Sequence, residues 1–513
     1  MPDEDTPARR TGSSEGTDSS MSSEPSGAEE SDTARLSMGR ETAIALLAKL
    51  FLTATGFLGF VYFGQTLGPA GIGLYYFVLA VAKFLVQGIG GVSNALKKRV
   101  AEVETDVERY LGLGLIVLLS FTGLLFIGVY LLEGIIRTEL GPVRYAYGGV
   151  AIVGSLGLFS LTNRVYAGVG KPGASFWVDT LRSVLTLGGQ VALITMGYGA
   201  FGLMGGLVGA TLVTGLLGFL LIGVRPRVPT RETVRSTLSF ARWSVPNALV
   251  DNLYTRMDPM ILGFLAGSTV VGYYEAAIRV TMPATLVAIS IGDSLVVKAS
   301  GLSSLGEGVQ HDLHNAMSYV GLIAAPLFLG ALALPPETLF VYLLGQEFAP
   351  GWPALIGLAL FQVFNAYKMP FEAVLDGMNR PDLRFRVSLL TVLIHLPMVY
   401  ALGIAYGLLG VVTATIIAEA VRFLAYQVVA RFVFDQFVFT RPMAEQWISA
   451  GLMFVVVSTA SDRIVPVGGW LELLALLSLG AGVYFGVLVV ISDHFRATAS
   501  SVLSDITPRR RSQ

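Results

Sequence analysis

The chain has 513 residues, of which 53% are hydrophobic and 14% are charged, and its formal net charge is −1. Soluble domains carry about 25% charged residues, so this composition excludes an ordinary soluble protein, and apolar runs of about 20 residues recur along the chain. A transmembrane β-barrel would show short segments of alternating hydrophobicity instead. The sequence therefore predicts an all-α, polytopic membrane protein. Because it contains no cysteine, disulfides and thiolate metal sites are excluded as well.

The first 37 residues differ from the rest in being acidic, rich in Ser and Gly, and almost free of large apolar side chains. A segment of this composition buries too little apolar surface to fold, and it lacks the basic start and apolar core of a signal peptide. We predict a disordered cytoplasmic tail over 1–37.

About fourteen transmembrane helices are predicted from the apolar runs that follow. In chain order they cover 41–65, 71–92, 110–132, 146–168, 173–196, 201–223, 241–266, 271–296, 315–334, 353–376, 385–404, 409–430, 446–462 and 470–492. Basic residues crowd every second connection, whereas the opposite connections contain only Arg137, Arg144 and Arg463. Since basic loops stay in the cytoplasm, we predict a plasma-membrane protein with both termini inside, which an even number of spans permits.

Three motifs from the first six spans recur in the next six. "GVGKP" at 168–172 recurs as "GMNRP" at 377–381, "YGAFGLMGGLVGAT" at 198–211 as "YGLLGVVTATIIAE" at 406–419, and "GLYYFVLAV" at 73–81 as "GYYEAAIRV" at 272–280. An even number of helices gives both repeats the same orientation, as in parallel-repeat transporters with a central cleft. The predicted parts are an N-lobe over 38–236, a C-lobe over 237–437, a helix pair over 438–494 and a cytoplasmic tail over 495–513.

Charged side chains within the predicted spans are candidate binding groups. Each costs ~2.5–3.5 kcal/mol at the bilayer centre and normally faces a cavity or a partner. Glu275 and Arg279 are four residues apart and can pair on one helix face. Lys49 and Lys83 have no acid within one turn of their own helices, and Arg256 is about 200° around the helix from Asp258.

These spacings predict an anion site and leave the role of the nearby acids open. Arg grips phosphate bidentately and Lys supplies a point charge, so we predict that a phosphate headgroup is bound by Lys49, Lys83, Arg256 and Arg279. The acids Asp251, Asp258 and Glu275 either couple transport to a proton or cation or form structural ion pairs. Tyrosines at the span starts, including Tyr75 and Tyr274, suit an interfacial aromatic belt. No metal site and no cofactor are predicted.

Three stretches carry a resemblance to a known family. "QTLGPAGIGLYYFVLAVAKFLVQGIGGVSNALKKRVAE" (65–102), "RWSVPNALVDNLYTRMDPMILGFLAGSTVVGYYEAAIRV" (242–280) and "YLLGQEFAPGWPAL" (342–355) resemble segments of the Wzx-like oligosaccharide flippases. The resemblance covers roughly 40–493 and implies the MOP superfamily fold, which MATE drug exporters and MurJ-type lipid II flippases share. It implies that the protein moves an oligosaccharide linked to polyprenyl or dolichyl phosphate or diphosphate from the cytoplasmic to the external leaflet by alternating access.

A MATE-like exporter of small molecules is the alternative function within the same fold. Such an exporter would hold organic cations with acids and aromatic rings, whereas this sequence offers unpaired cations, which favour an anionic substrate. A membrane glycosyltransferase would need a sizeable external loop with catalytic acids, and the outward connections are mostly short, so we do not expect an enzyme. The expected partners are the lipid-linked oligosaccharide and membrane lipids, without nucleic acid, and the protein is expected to be a monomer.

Overall fold

The computed structural model describes the backbone of residues 29–101, 106–139, 141–335, 337–463 and 467–506. The chain divides into a unit over Met1–Phe57 and a unit over Leu58–Gln513. Of the first unit, the structure describes helical backbone from Glu29 onward, so the helix begins before the predicted boundary at 37, and residues 1–28 of the predicted tail lie outside the described residues. Side chains are described from residue 54, which leaves that of Lys49 outside them.

All regular structure in the described ranges is helical. The α-helices are α1 (Glu29–Val100), α2 (Val107–Leu131), α3 (Glu133–Glu139), α4 (Arg144–Gly168), α5 (Pro172–Thr195), α6 (Gly199–Ile222), α7 (Arg231–Leu265), α8 (Ser268–Thr281), α9 (Leu286–Ser304), α10 (Gln310–Ala333), α11 (Thr338–Leu344), α12 (Trp352–Gly377), α13 (Pro381–Phe434), α14 (Arg441–Arg463), α15 (Trp470–Ile491) and α16 (Asp493–Ile506). Short 3-10 segments cover Met282–Thr285 and Gln346–Gly351. Helix α16 occupies much of the predicted C-terminal tail.

Ten helical stretches within the described residues are long and apolar enough to cross a membrane. Two of them change direction at a glycine, because the backbone has positive φ at Gly68 (φ 62) in α1 and at Gly407 (φ 57) in α13. Glycine adopts such angles readily. Because each of these glycines falls between two predicted spans, α1 and α13 each cover two of them. Helices α5 and α7 are not among the ten, although they lie where the fifth and seventh spans are predicted. The polytopic, all-α class is confirmed, and the total of fourteen spans stays a prediction.

The helices pack into two groups. In the amino-terminal half, α4 packs on α2, α5 and α6, and in the carboxy-terminal half α12 packs on α8, α9, α10 and α13. The glycines of α6 permit its close approach to α5, since a Cβ on Gly206 would lie 2.5 Å from the backbone nitrogen of Gln190. Helices α14 and α15 pack on each other, and α14 also packs on α10.

Equivalent glycines of the internal repeat bring the two halves together. A Cβ on Gly73 of α1 would overlap the carbonyl oxygen of Ser268, and a Cβ on Gly272 of α8 would overlap that of Pro69. Next to this crossing, Gln65 donates a hydrogen bond from Nε2 to the Leu343 carbonyl at 3.0 Å. The backbones of α1 and α8 therefore touch at the end of the bundle that the loop charges predict to be external.

Candidate functional site: two polar cavities

Two polar cavities lie among the helices. The amino-half cavity has a volume of about 540 Å³ and is lined by α1, α4, α5 and α6 together with Asn252 and Arg256 of α7. The carboxy-half cavity has a volume of about 580 Å³ and is lined by α7, α8, α12 and α13, with additional residues from 282–289. Arg256 lines both cavities, so the guanidinium that the sequence places inside a span stands where the two halves meet.

Cations from four helices line the amino-half cavity: Lys83 on α1, Arg164 on α4, Arg182 on α5 and Arg256 on α7. The only acid in its described lining is Asp179, and it is bound by Arg182 Nη2 at 2.8 Å. Arg182 also lies over the Phe159 ring, 4.9 Å from the ring centroid. Asp179 and Arg182 are three residues apart on α5 and therefore share one helix face.

Lys83 and Arg256 are the two cations without a partner in this cavity. Both side chains are half-buried, and neither makes a hydrogen bond or an ion pair with a described residue. The Nε atom of Arg256 is buried without a hydrogen-bond partner among these residues. A buried donor of this kind is costly unless a ligand or water satisfies it, so Arg256 is a candidate for binding an anion.

Arg164 is a cavity residue that the sequence did not single out. Its Nη1 donates to the Gly90 carbonyl at 3.3 Å and to Asn94 Oδ1, both neutral groups on α1. An arginine close to the end of a span can reach the interface by extending its side chain, so its position alone gives no sign of a cavity role. Packing of α4 against α1 turns it inward instead.

Charges in the carboxy-half cavity form a paired network. Lys368 Nζ lies 3.0 Å from Glu419 Oε1 and 3.6 Å from Glu372 Oε1, and Arg422 Nη2 lies 2.8 Å from the same Glu372 oxygen. The Tyr254 hydroxyl donates to Glu419, which is fully buried. The network joins α7, α12 and α13, and its two cations and two acids neutralise one another.

Asp258 is the centre of a second polar group in this cavity. Its Oδ2 accepts hydrogen bonds from Tyr274 at 2.7 Å and from Thr415 at 2.8 Å, and its Oδ1 lies 3.4 Å from His395 Nε2. Asp258 is 4% exposed and His395 is 1% exposed. Sequence reasoning missed His395, although an ionisable residue in the middle of a predicted span is itself a signal of function.

The prediction of an interfacial aromatic belt is wrong for two of the tyrosines. Tyr274 is buried against Asp258, and Tyr75 is buried with its hydroxyl accepting a hydrogen bond from Gln190 at 3.1 Å. Both side chains point into the helix bundle because the crossing at Gly73 and Gly272 turns this part of α1 and α8 toward each other rather than toward lipid.

Arg279 of α8 reaches across to α1. Its guanidinium lies 4.5 Å from the centroid of the Tyr76 ring and 5.1 Å from that of Phe60. On its own helix, Arg279 Nε is 3.7 Å from Glu275 Oε2, in the pairing that the spacing predicts. Arg279 thus lines the carboxy-half cavity and is also partly engaged with aromatic faces, which attract cations.

The predicted site residues are therefore distributed unequally. Lys83 and Arg256 line one common cavity, whereas Arg279, Glu275 and Asp258 line the carboxy-half cavity together with Arg256. The side chains of Lys49 and Asp251 lie outside those that the structure describes. In the described part of the chain, no group of three His, Asp or Glu side chains is arranged to hold a metal ion.

Comparisons with known proteins agree with this architecture. Residues 38–296 match the family described as polysaccharide biosynthesis protein. The chain is 24% identical over 485 residues to the probable low-salt glycan biosynthesis flippase Agl15 of Haloferax volcanii, which covers 92% of this chain and 100% of the relative. It is similar to the solved structure of lipid II flippase MurJ in an inward closed conformation, with a TM-score of 0.71, 16% identity, and coverage of 89% of this chain and 100% of that one. An inward-facing MATE transporter of the MOP superfamily gives a TM-score of 0.55 at 18% identity, over 75% of this chain and 96% of that one.

Proposed function

This chain belongs to the polysaccharide biosynthesis protein family, and from that premise we propose that it moves a lipid-linked oligosaccharide from the cytoplasmic to the external leaflet. It is a multi-pass membrane flippase of glycan biosynthesis rather than an enzyme, with the helical fold of MurJ and the MATE transporters. The substrate, the direction of transport and the plasma-membrane location with both termini in the cytoplasm are our proposal.

The pair of unpartnered cations, Lys83 and Arg256, is the observation that carries this proposal. A charge held within a span without a counter-ion is unfavourable, and an anionic ligand would remove that cost. A phosphate or diphosphate linkage supplies such an anion, which Arg binds through two parallel hydrogen bonds and Lys as a point charge. The lipid tail stays in the bilayer while the polar part enters the cavity.

A bound phosphate would link the two halves of the molecule. Lys83 is on α1 and Arg256 is on α7, so an anion between them contacts both predicted lobes. The backbones of α1 and α8 touch at the glycine crossing. We propose that this crossing closes the predicted external end, so that the substrate enters from the cytoplasmic side in this conformation. Alternating access then requires that this crossing separates while the phosphate remains bound.

We assign Arg279 a structural role rather than a role in phosphate binding. Because its guanidinium contacts two rings of α1 and approaches Glu275, we assign it mainly to holding α8 against α1. A MATE-like exporter of organic cations fits less well, since the acids of the Lys368 network are already paired with cations. Asp258 is the acid that we propose for ion coupling, since its Oδ1 accepts no hydrogen bond from the described residues.

Deletion of the gene, followed by an inventory of both membrane sides, tests the flipping step. We expect the surface glycan to disappear while the lipid-linked oligosaccharide persists on the cytoplasmic leaflet. Complementation with Arg256→Lys should restore part of the surface glycan, and Arg256→Glu should restore none although the protein accumulates normally in the membrane. An unchanged surface glycan together with an unchanged lipid-linked pool, in a strain without a second homologue, would contradict the proposal.

A further inference from the structure

The amino-half cavity contains more positive charge than one lipid phosphate linkage can neutralise. Of its four lining cations, only Arg182 has an acidic partner among the described residues. Lys83, Arg164 and Arg256 are each without one, and the contacts of Arg164 are to a carbonyl and an amide. A sugar joined to a lipid through a single phosphate carries one negative charge at that diester, and a diphosphate carries two. In either case a cation remains without a counter-ion.

Arg164 is the cation whose charge the bound phosphate would not neutralise. Lys83 and Arg256 belong to different halves of the protein and line the same cavity. Arg164 is on α4 and lies nearer the end of the bundle that is predicted to be cytoplasmic. Its described contacts use Nη1 alone, so the Nε and Nη2 edge of the guanidinium makes none of them. That edge presents two parallel N–H donors, the geometry that matches a carboxylate.

The surroundings of Arg164 suit a sugar. Asn163 precedes it on α4, and its Oδ1 is buried without a hydrogen-bond partner among the described residues. Gln87, Ser160 and Asn252 also line the cavity and are half-buried. Amide and hydroxyl side chains both donate and accept hydrogen bonds, as the hydroxyl groups of a sugar require.

We propose that Arg164 and Asn163 form a second anion subsite, which binds a carboxylated sugar of the oligosaccharide while Lys83 and Arg256 hold the phosphate linkage. This inference rests on the proposed flippase function and defines its substrate class as an acidic lipid-linked oligosaccharide. The guanidinium of Arg164 binds the carboxylate, Gly90 and Asn94 orient it through Nη1, and the Asn163 amide oxygen accepts from a neighbouring sugar hydroxyl.

Two short-chain isoprenyl diphosphate disaccharides, one ending in glucuronate and the other in glucose, serve as probes for the purified full-length protein. We expect the wild type to bind the glucuronate probe about tenfold more tightly, the effect of one favourable charged interaction. Arg164→Gln should remove this preference without changing the affinity for the glucose probe, and Arg164→Lys should retain part of it. Arg256→Gln should weaken the binding of both probes to the same extent.

The matched control is Arg227→Gln, which removes an arginine that is 67% exposed and pairs with Glu108 outside the cavity. It should leave both affinities unchanged. If Arg164→Gln does not fold, Asn163→Asp provides the test, since it places a negative charge next to Arg164 without removing the contacts of Arg164 to α1. We expect this variant to lose the preference for the glucuronate probe. An unchanged preference in that variant would overturn the proposal.

The results separate the two levels of the proposal. Equal binding of both probes by the wild type, with a loss of both in Arg256→Gln, would overturn the carboxylate subsite and leave the flippase function standing. Failure of the wild type to bind either probe would instead contradict the proposed lipid-linked substrate itself.

Discussion

In the amino-half cavity, three of the four described cations lack an acidic partner, whereas in the carboxy-half cavity Lys368 and Arg422 are paired with Glu372 and Glu419. Lys83 is half-buried and has no described partner, but the buried Lys368 lies between Glu419 at 3.0 Å and Glu372 at 3.6 Å. A paired network is complete without a ligand and fixes the helices that it joins. Unpaired cations are neutralised only when an anionic ligand enters the cavity. We therefore propose that the carboxy-terminal half supplies a structural frame and that the amino-terminal half supplies most of the anion-binding surface.

The largest expected effect comes from breaking the paired network. Lys368→Met leaves the fully buried Glu419 without its ammonium partner, and removal of one member of a buried pair costs about 3–5 kcal/mol. We expect a marked loss of thermal stability in detergent, measured by intrinsic fluorescence. The double variant Lys368→Met/Glu419→Gln should recover much of that loss because it leaves no unpaired charge at Glu419.

Lys83→Met is the matched variant in the other cavity. It removes a charge that has no described partner, so we expect a melting temperature close to that of the wild type, together with reduced surface glycan in complemented cells. If Lys83→Met destabilised the protein as much as Lys368→Met does, the contrast between a binding cavity and a structural network would be wrong.

A third prediction concerns the crossing that joins the two halves. Gly73→Ala places a methyl group against the Ser268 carbonyl, and overpacking of this kind costs about 1–3 kcal/mol. We expect the closed external end to open more often. The chain has no cysteine, so a single Leu79→Cys in the amino-half cavity reports this opening by its labelling with a membrane-impermeant thiol reagent.

Labelling from outside should rise several-fold in the Gly73→Ala background. Gly123→Ala is the control, because a Cβ at Gly123 meets no heavy atom within 4 Å. Equal labelling of Gly73→Ala and Gly123→Ala would show that the glycine crossing does not limit access from the external side.

Only a small effect on stability is expected at Asp258. Asp258→Asn keeps an oxygen that can accept from Tyr274 and Thr415, so we expect a loss of about 1 kcal/mol or less. If Asp258 couples transport to an ion, transport into vesicles should no longer respond to an imposed proton or cation gradient. A full gradient response in both Asp258→Asn and Asp251→Asn would end the coupling hypothesis.

The sequence by itself determined the features that depend on neighbours along the chain. The long apolar runs fix a helical membrane protein, since a backbone in lipid must satisfy its hydrogen bonds within each segment. Spacing along one helix was sufficient to predict the Glu275–Arg279 pair, because residues three or four apart share a helix face. The unusual Arg256 could also be recognised from its separation from Asp258 around the helix.

Only the tertiary structure decided which charges from different helices meet. His395 lies beside Asp258 although 137 positions separate them, Arg164 turns toward α1, and Tyr75 and Tyr274 are buried instead of facing the interface. These contacts depend on how far each helix is rotated and where it crosses its neighbours, for example at Gly73 and Gly272. Local periodicity specifies the faces of a helix, but the packing of the whole bundle selects which face lines a cavity.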